Sequence, residues 1–371
     1  MSSFLTMANV RLQADQDPLF RGELLLEEGR FGEVIELLSP LLQAGRGGLL
    51  VRTLLTRGFL GAGQREQGLA LARDTAQLYP GAAVASLSLG EALLACGRPP
   101  LAIAEFQRAL RSDPDLAEAR YMLGCAWLEA GEAERALREF SSLHAYEPAD
   151  VLDRRIAEAN AMLQAPRANS RYVQHLFDQF SVNYDERMLG SLAYRAPDIL
   201  RDLYGFVASG GGRADILDLG CGTGLVAAAF ADIASRIDGI DLSPQMIVKA
   251  RARGLYADLA VADLESFLTS DGRTYDLIVA ADTLVYLGDL APTLVGVRGR
   301  LKHGGFFLFT VEKAEGQGFE LGPKRRWRHG EEYLRTVAAN AGLDLAGLLA
   351  ASPRNEAGVP VDGFAVALCA P

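Results

Sequence analysis

The sequence predicts two domains of different class: an all-α stack of helix pairs, then an α/β domain built on a mostly parallel sheet. Three observations predict it. Through the first half, glycines, prolines and aromatics recur at a fixed interval of 34 residues. From about residue 215, short apolar runs alternate with helical segments, the pattern of a parallel sheet covered on both faces. Where the first of these runs meets its helix stands ILDLGCGTG (216–224), with glycines at alternate positions. A chain of 371 residues also exceeds one ordinary core.

The repeat is carried by Gly29, Gly63, Gly97 and Gly131, and in the same phase by Pro80, Pro114 and Pro148. Gly90 and Gly124, Ala102 and Ala136, and Phe106 and Phe140 keep the same interval. Small residues at Gly90 and Ala102 let paired helices approach, and Phe106 is expected to fill the gap between neighbouring units. Proline is expected to open each new helix, where its missing N–H costs nothing. The stretch LGEALLACGRPPLAIAEFQRALRSDP (89–114) resembles a tetratricopeptide repeat, a helix–turn–helix unit of this period. Four units are expected over about 15–150. The first is degenerate, with Arg46 where proline would fall, and VLDRRIAEANAMLQ (151–164) reads as a capping helix. The repeat domain then covers 1–165.

The resemblance implies a groove that binds a protein partner, or an arm that pairs two copies. Leu87, Glu91, Tyr121 and Cys125 occupy the positions where repeats that clamp a terminal carboxylate carry Lys and Asn. An apolar or partly basic ligand suits such a groove better.

After the breaker at Pro166, RYVQHLFDQFSVNYDERM (171–188) carries Tyr172, Phe177, Phe180 and Tyr184 at helical intervals. DILDL (215–219) reads as a first strand and LVAAAFADIAS (225–235) as its helix. IDGIDL brings a second strand to Asp241, YADLAVADL a third to Asp263, and YDLIVAADTL a fourth to Asp282. GGFFLFTVE (304–312) is a fifth. LDLAGLLAAS (343–352) and FAVALCA (364–370) read as a closing antiparallel pair.

Clustered glycines weaken a helix or strand, so their place here is a backbone that bends and is closely approached. Open α/β sheets bind ligands at this carboxyl edge, and an acid 21 residues beyond Gly220, Asp241, suits a ribose. A dinucleotide and S-adenosylmethionine both fit that far. The turn is D-x-G-x-G-x-G, without the third glycine of a pyrophosphate loop, a second acid follows at Asp263, and the last strands are antiparallel. Residues 166–371 therefore resemble a class I S-adenosylmethionine-dependent methyltransferase, and the whole chain is similar to bacterial methyltransferases with tetratricopeptide repeats.

The resemblance implies a Rossmann-like seven-stranded domain with N-terminal lid helices (170–205). It assigns Asp218 to the methionine amino group, with Gly220, Cys221 and Gly222 beneath the methionine. It gives Asp241 to the ribose, Leu242 and Met246 to the adenine faces, and Asp263 with Leu264 to its edge. Ala281 and Asp282 would lie near the transferred methyl, and Tyr172, Phe180 and Tyr184 would cover the cofactor. His329, expected to open the helix after strand five, and Tyr286 are the candidates to remove a proton from a nitrogen acceptor. In KRRWRH (324–329), Arg326 and Arg328 could hold an acceptor carboxylate or phosphate beside Trp327; the alternative is that they bind acids of the repeat domain.

The reading is an enzyme that methylates an oxygen or nitrogen of a small molecule or peptide. A repeat scaffold that binds the cofactor without transferring methyl is the alternative, and a dinucleotide enzyme a more distant one. Net charge of −10 argues against a nucleic-acid partner. The stretch AADTLVYL lacks the Asn/Asp-Pro-Pro-Tyr of enzymes that methylate DNA bases or amides. No apolar run reaches the ~20 residues of a membrane span. The start lacks an export pattern, and four scattered cysteines suggest neither a metal site nor disulfides, so a cytoplasmic location is expected.

Overall fold

Each 34-residue interval is set by a turn that only glycine makes cheaply. The structure, a computed structural model, describes residues 17–143, 149–190, 192–208, 212–270, 272–322 and 325–371. It divides into two compact units, Met1–Gln164 and Ala165–Pro371. In the first, four helix pairs follow one another: α1 (Pro18–Glu27) with α2 (Phe31–Gln43), α3 (Leu49–Gly61) with α4 (Arg65–Leu78), α5 (Ala83–Ala95) with α6 (Pro99–Ser112), and α7 (Ala117–Glu129) with α8 (Ala133–Ser141). A ninth helix, α9 (Ala149–Gln164), ends the unit. Gly29, Gly63, Gly97 and Gly131 close the first helix of each pair at φ of 72°, 78°, 68° and 75°. The next residue's N–H reaches back to close the turn, as Arg98 does to the Leu93 carbonyl at 2.9 Å. This is the glycine stop of a helix, written four times.

Phe106 sits differently from expectation. A Cβ on Gly90 would stand 2.4 Å from its ring, and one on Gly124 would stand 2.3 Å from the ring of Phe140. The aromatic thus fills the gap inside a helix pair, between its two helices. Pro80 and Pro114 also differ: each stands in the turn three residues ahead of a helix that starts at Ala83 or Ala117. Pro148 lies outside the described residues. Leu87 and Cys125 are buried, at 2% and 8% exposure, so the core has taken two of the expected groove positions. Glu91 accepts from Arg57, whose guanidinium also donates to Glu118 at 2.6 Å.

The second unit begins with α10 (Ser170–Phe180), α11 (Tyr184–Leu189) and α12 (Ala196–Val207). Its strands are β1 (Ala214–Leu219), β2 (Ala234–Asp241), β3 (Asp258–Val261), β4 (Tyr275–Ala280), β5 (Leu301–Lys313), β6 (Phe319–Leu321), β7 (Trp327–His329), β8 (Asp344–Ala351), β9 (Asn355–Glu356), β10 (Val359–Pro360) and β11 (Gly363–Cys369). The main sheet runs β3-β2-β1-β4-β5-β11-β8. Its first five strands are parallel, and β11 is antiparallel to both β5 and β8. These seven strands are the expected set. The short β6 and β7 beside β5, and the β9–β10 hairpin, carry too few residues to show a period.

Both faces of the sheet are buried, which explains the near-continuous apolar runs. Leu217, Leu219, Ile278, Phe307 and Phe309 face one core, and Ile216, Leu277, Val279 and Leu308 face the other. The helix after β1, α13 (Leu225–Phe230), is shorter than its alanine-rich sequence predicts. Ala234 is already paired with Ala214, so the chain must be extended by then. Strands three and four also stop early, at Val261 and Ala280, leaving Asp263 and Asp282 in the turns beyond them. Among the described residues, no helix is long and apolar enough to cross a membrane.

Candidate functional site

The carboxyl ends of β1, β2 and β4 open onto one cavity of about 320 Å³, within the range of small-molecule sites. Gly220 and Gly222 form its floor with φ of 71° and 53°, a conformation side chains avoid. A Cβ on Gly220 would stand 2.5 Å from Thr283, while one on Gly222 would meet only Tyr184, at 3.9 Å. Gly220 and Cys221 both donate to the Ile240 carbonyl at 2.9 Å, which ties the turn to β2.

Asp241 ends β2 on the cavity wall. Its carboxylate accepts from the Gly222 N–H at 2.9 Å and the Ser243 N–H at 2.8 Å, which fixes its orientation. Burial still raises its pKa above the ordinary carboxyl value, against those two donors. Asp218 lies behind the floor with no exposure. Tyr256 donates to its Oδ2 at 2.7 Å, and Oδ1 is buried with no partner. Burial pushes this carboxyl up to about 7.

The roof is α10 and α11. Asn169 caps α10 by accepting from the Arg171 N–H at 2.9 Å. Val173, Leu176, Phe177 and Phe180 then face the cavity, joined by Tyr184 and Met188. Phe177 packs edge-on to Tyr286 at 5.7 Å and to Tyr184 at 6.3 Å. Polar bonds fasten this roof along its length. Arg167 binds Asp263 at 2.6 Å and also Glu265; Ser243 donates to Asp178; Asp185 accepts from Thr223 and Arg253.

The remaining end is polar. Asp282 follows β4 at φ 58°, and its N–H donates to Thr310 Oγ1 at 2.8 Å. Arg354, with a side chain only 1% exposed, binds Asp282 and Glu312 and stands 3.4 Å from Glu356. Arg326 binds Glu356 and lies 3.6 Å from Glu312; Arg328 lies 3.6 Å from the other oxygen of Glu312. Tyr286, Arg326, Arg354 and Glu356 all border the cavity.

The structure brings many of the expected residues together here: Phe180, Tyr184, Gly220, Gly222, Asp241, Leu242, Leu264, Ala281, Asp282, Tyr286 and Arg326 line the cavity. Several others stand elsewhere. Tyr172 packs with Val173 and Val285 behind the roof, and Arg325 lies over its ring. Cys221 and Met246 are buried behind the floor. Asp263 caps the helix α14 (Leu264–Thr269) and holds Arg167 and Ser170. Burial opposes its charge, but these donors keep the carboxyl below its usual range. The wall it was to provide is made by Ala262 and Leu264.

His329 is the clearest correction. It lies on β7 with no exposure, its Nε2 bonded to the Gly288 carbonyl at 3.0 Å, and Gly330 caps the following helix α15 (Glu331–Asn340). Burial pushes its imidazole down to about 4, and it does not border the cavity. Trp327 is turned toward Phe319 and Gly288. Tyr286 reaches the cavity, but burial raises its phenol above the ordinary value against the nearby Arg326. Arg328 and Arg326 find their acids, Glu312 and Glu356, within their own unit. Sequence reasoning missed Arg354 and Glu312 altogether.

Residues 217–307 match the family described as methyltransferase domain, and 54–117 and 95–149 match the tetratricopeptide repeat. Human methyltransferase-like protein 27 is 36% identical over 113 residues, 30% of this chain and 46% of that protein. A ubiquinone biosynthesis O-methyltransferase of Xylella fastidiosa is 31% identical over 105 residues, 27% of this chain and 43% of that one. The chain thus spans about half the length of the curated relatives it matches. Among solved structures, the N-methyltransferase NodS of Bradyrhizobium japonicum with S-adenosyl-L-homocysteine is 19% identical, covering 53% of this chain and 98% of its own, at a TM-score of 0.42.

Proposed function

We propose that this chain, in which tetratricopeptide repeats precede a class I methyltransferase domain, transfers the methyl group of S-adenosylmethionine to an acceptor. The carrying observation is the pinned carboxylate of Asp241 on the same cavity as the bare glycine floor of Gly220 and Gly222. The partnerless buried Oδ1 of Asp218 suits a cationic donor from the cofactor, and nothing but Tyr184 crowds Gly222. The residues present therefore fit the group.

S-adenosylmethionine brings a methyl already activated on a sulfonium sulfur. The chain's task is to bind and orient it and to exclude water. Asp218 and the floor would take the methionine end, Asp241 the ribose hydroxyls, and Leu242, Ala262 and Leu264 the adenine. Phe177, Phe180 and Tyr184 close the roof and keep water from the reacting atoms. Ala281 and Asp282 form the wall where the methyl is passed on. Cys221, Met246 and Asp263 support these walls from behind.

The acceptor would be an oxygen or nitrogen of a small molecule with an apolar body, since the roof offers aliphatic and aromatic contacts. An anionic acceptor loses its warrant, because Arg326 and Arg328 face carboxylates already. The repeats would recruit a protein partner or a second copy.

Calorimetry on the full chain tests this. The parent should bind S-adenosylmethionine and S-adenosylhomocysteine but not NAD. Asp241→Ala should lose ~1.5–3 kcal/mol, a charged hydrogen bond's worth, or about ten- to a hundredfold in affinity. Parent-like affinity in that variant, or preference for NAD, would overturn the reading. Mass-spectrometric screening for methyl uptake separates an enzyme from a scaffold that only binds the cofactor.

A further inference from the structure

The polar end of the cavity has a construction that the cofactor does not require. Asp282 stands in a left-handed conformation at φ 58°, one that glycine, asparagine and aspartate adopt more readily than other residues. One carboxylate oxygen, Oδ1, is gripped by the buried Arg354. The other, Oδ2, makes no hydrogen bond among the described residues, and Asp282 lines the cavity.

The surrounding charges balance. Arg326, Arg328 and Arg354 meet Asp282, Glu312 and Glu356, three of each sign. A charged acceptor would unbalance this group in a mostly buried place. A neutral acceptor would not. The phenols of Tyr184, Tyr194 and Tyr286 also face Asp282 and are all raised by burial, so they keep their protons at neutral pH and leave this carboxylate as the acceptor of one.

Resting on the methyl-transfer reading above, we propose that Asp282 takes the proton of a neutral hydroxyl on an apolar or aromatic acceptor, and that Arg354 is the residue that positions it. As the acceptor oxygen forms its bond to the methyl carbon, the carbon–sulfur bond breaks and its electron pair stays on sulfur, leaving a neutral thioether. The hydroxyl proton passes to Oδ2 of Asp282 and later to solvent. An oxygen that arrives already ionised has no use for the carboxylate.

That difference is the test. The full chain with S-adenosylmethionine is given p-cresol, a neutral phenol, or 4-nitrophenol at pH 8, where it is ionised, and the methyl ethers are measured by mass spectrometry. Asp282→Asn suits the left-handed backbone and can still accept from Arg354, and Asp282→Gly serves if it fails to fold. Asp282→Asn should lower p-cresol turnover by about a hundredfold, the usual scale of general-base catalysis, and 4-nitrophenol turnover by under about fivefold. Arg354→Lys, which keeps charge but not the planar fork, should lower the same ratio by less. Equal losses on both phenols, with S-adenosylhomocysteine affinity retained, would overturn the role of Asp282. A parent that binds S-adenosylhomocysteine yet leaves p-cresol untouched would overturn the acceptor class. A parent that binds no S-adenosylhomocysteine defeats the methyl-transfer reading itself.

Discussion

Tyr256 donates to Asp218 Oδ2 at 2.7 Å and leaves the other oxygen of that carboxylate buried and bare. A phenol can satisfy one oxygen, and among the described residues no other side chain reaches the second. The fold therefore keeps this carboxylate half-satisfied, at a cost in stability, where the proposed cofactor would bring a donor.

That cost depends on pH. Burial raises the Asp218 carboxyl from 3.8 to about 7, so between those values the folded chain holds a proton that the unfolded chain has released. Stability from this group is full below about 4 and is lost as pH rises through about 7. Asp218→Asn never ionises and keeps an acceptor for Tyr256. Its melting temperature relative to the parent should climb between pH 5 and pH 8 without ligand. A difference that stays flat over that range would show that Asp218 is not a buried, ionising burden.

In the repeats, Gly90→Ala would place a methyl 2.4 Å from the ring of Phe106, which has no exposure and no room to retreat. Overpacking of this kind costs ~1–3 kcal/mol, more than the ~1 kcal/mol that alanine gains in a helix. Gly32→Ala, with nothing within 4 Å, should stabilise instead. Denaturant unfolding should show the two variants moving in opposite directions, with Phe106→Leu partly rescuing Gly90→Ala. Two equal shifts would refute the tight helix pair.

The roof gives a kinetic prediction. Arg253 joins Asp185 and the Thr223 carbonyl, fastening α11 to the glycine turn. Both side chains are partly exposed, at 29% and 43%, so the pair is worth no more than ~1 kcal/mol. Arg253→Met should speed proteolytic cleavage between 170 and 190 by about fivefold at that energy, and S-adenosylmethionine should restore protection. Cleavage at the parent's rate would mean the roof is held by its apolar packing alone.

The legible parts of the chain share one property: they are local. The turn glycines repeat because each helix stop needs the same backbone angle, and Gly220, Gly222 and Asp241 lie within one strand–turn–helix–strand unit. Asp282 could be placed at a strand end, but its partner is 72 residues away in sequence and Glu312 is 42 residues from that partner. No spacing announces such a pair. His329 misled for a related reason. Its neighbours suggested an exposed helix start, whereas the two short strands β6 and β7 carried it inside. The arginine-rich KRRWRH stretch looked like an isolated positive cluster because its acids come from β5 and β9.

Arg326 and Arg328 of that stretch and the buried Arg354 should therefore rank in reverse of their visibility in the sequence. Arg328 is the most exposed of the three, at 33%, and among the described residues its one ion pair is with Glu312 at 3.6 Å. Arg328→Ala should cost no more than ~1 kcal/mol, as a weak partly exposed pair does. Arg326 is 22% exposed and binds Glu356, so its loss should cost more. Arg354 has a side chain 1% exposed between Asp282 and Glu312, and Arg354→Met would leave both carboxylates without their main cation. Breaking a buried pair from one side costs ~3–5 kcal/mol. Urea unfolding of the three variants at neutral pH should give that order, and acid should narrow the gap for Arg354→Met as Asp282, already raised by burial, takes up its proton. If Arg328→Ala proves the most damaging, the sequence cluster rather than the buried arginine holds the cavity's polar end together.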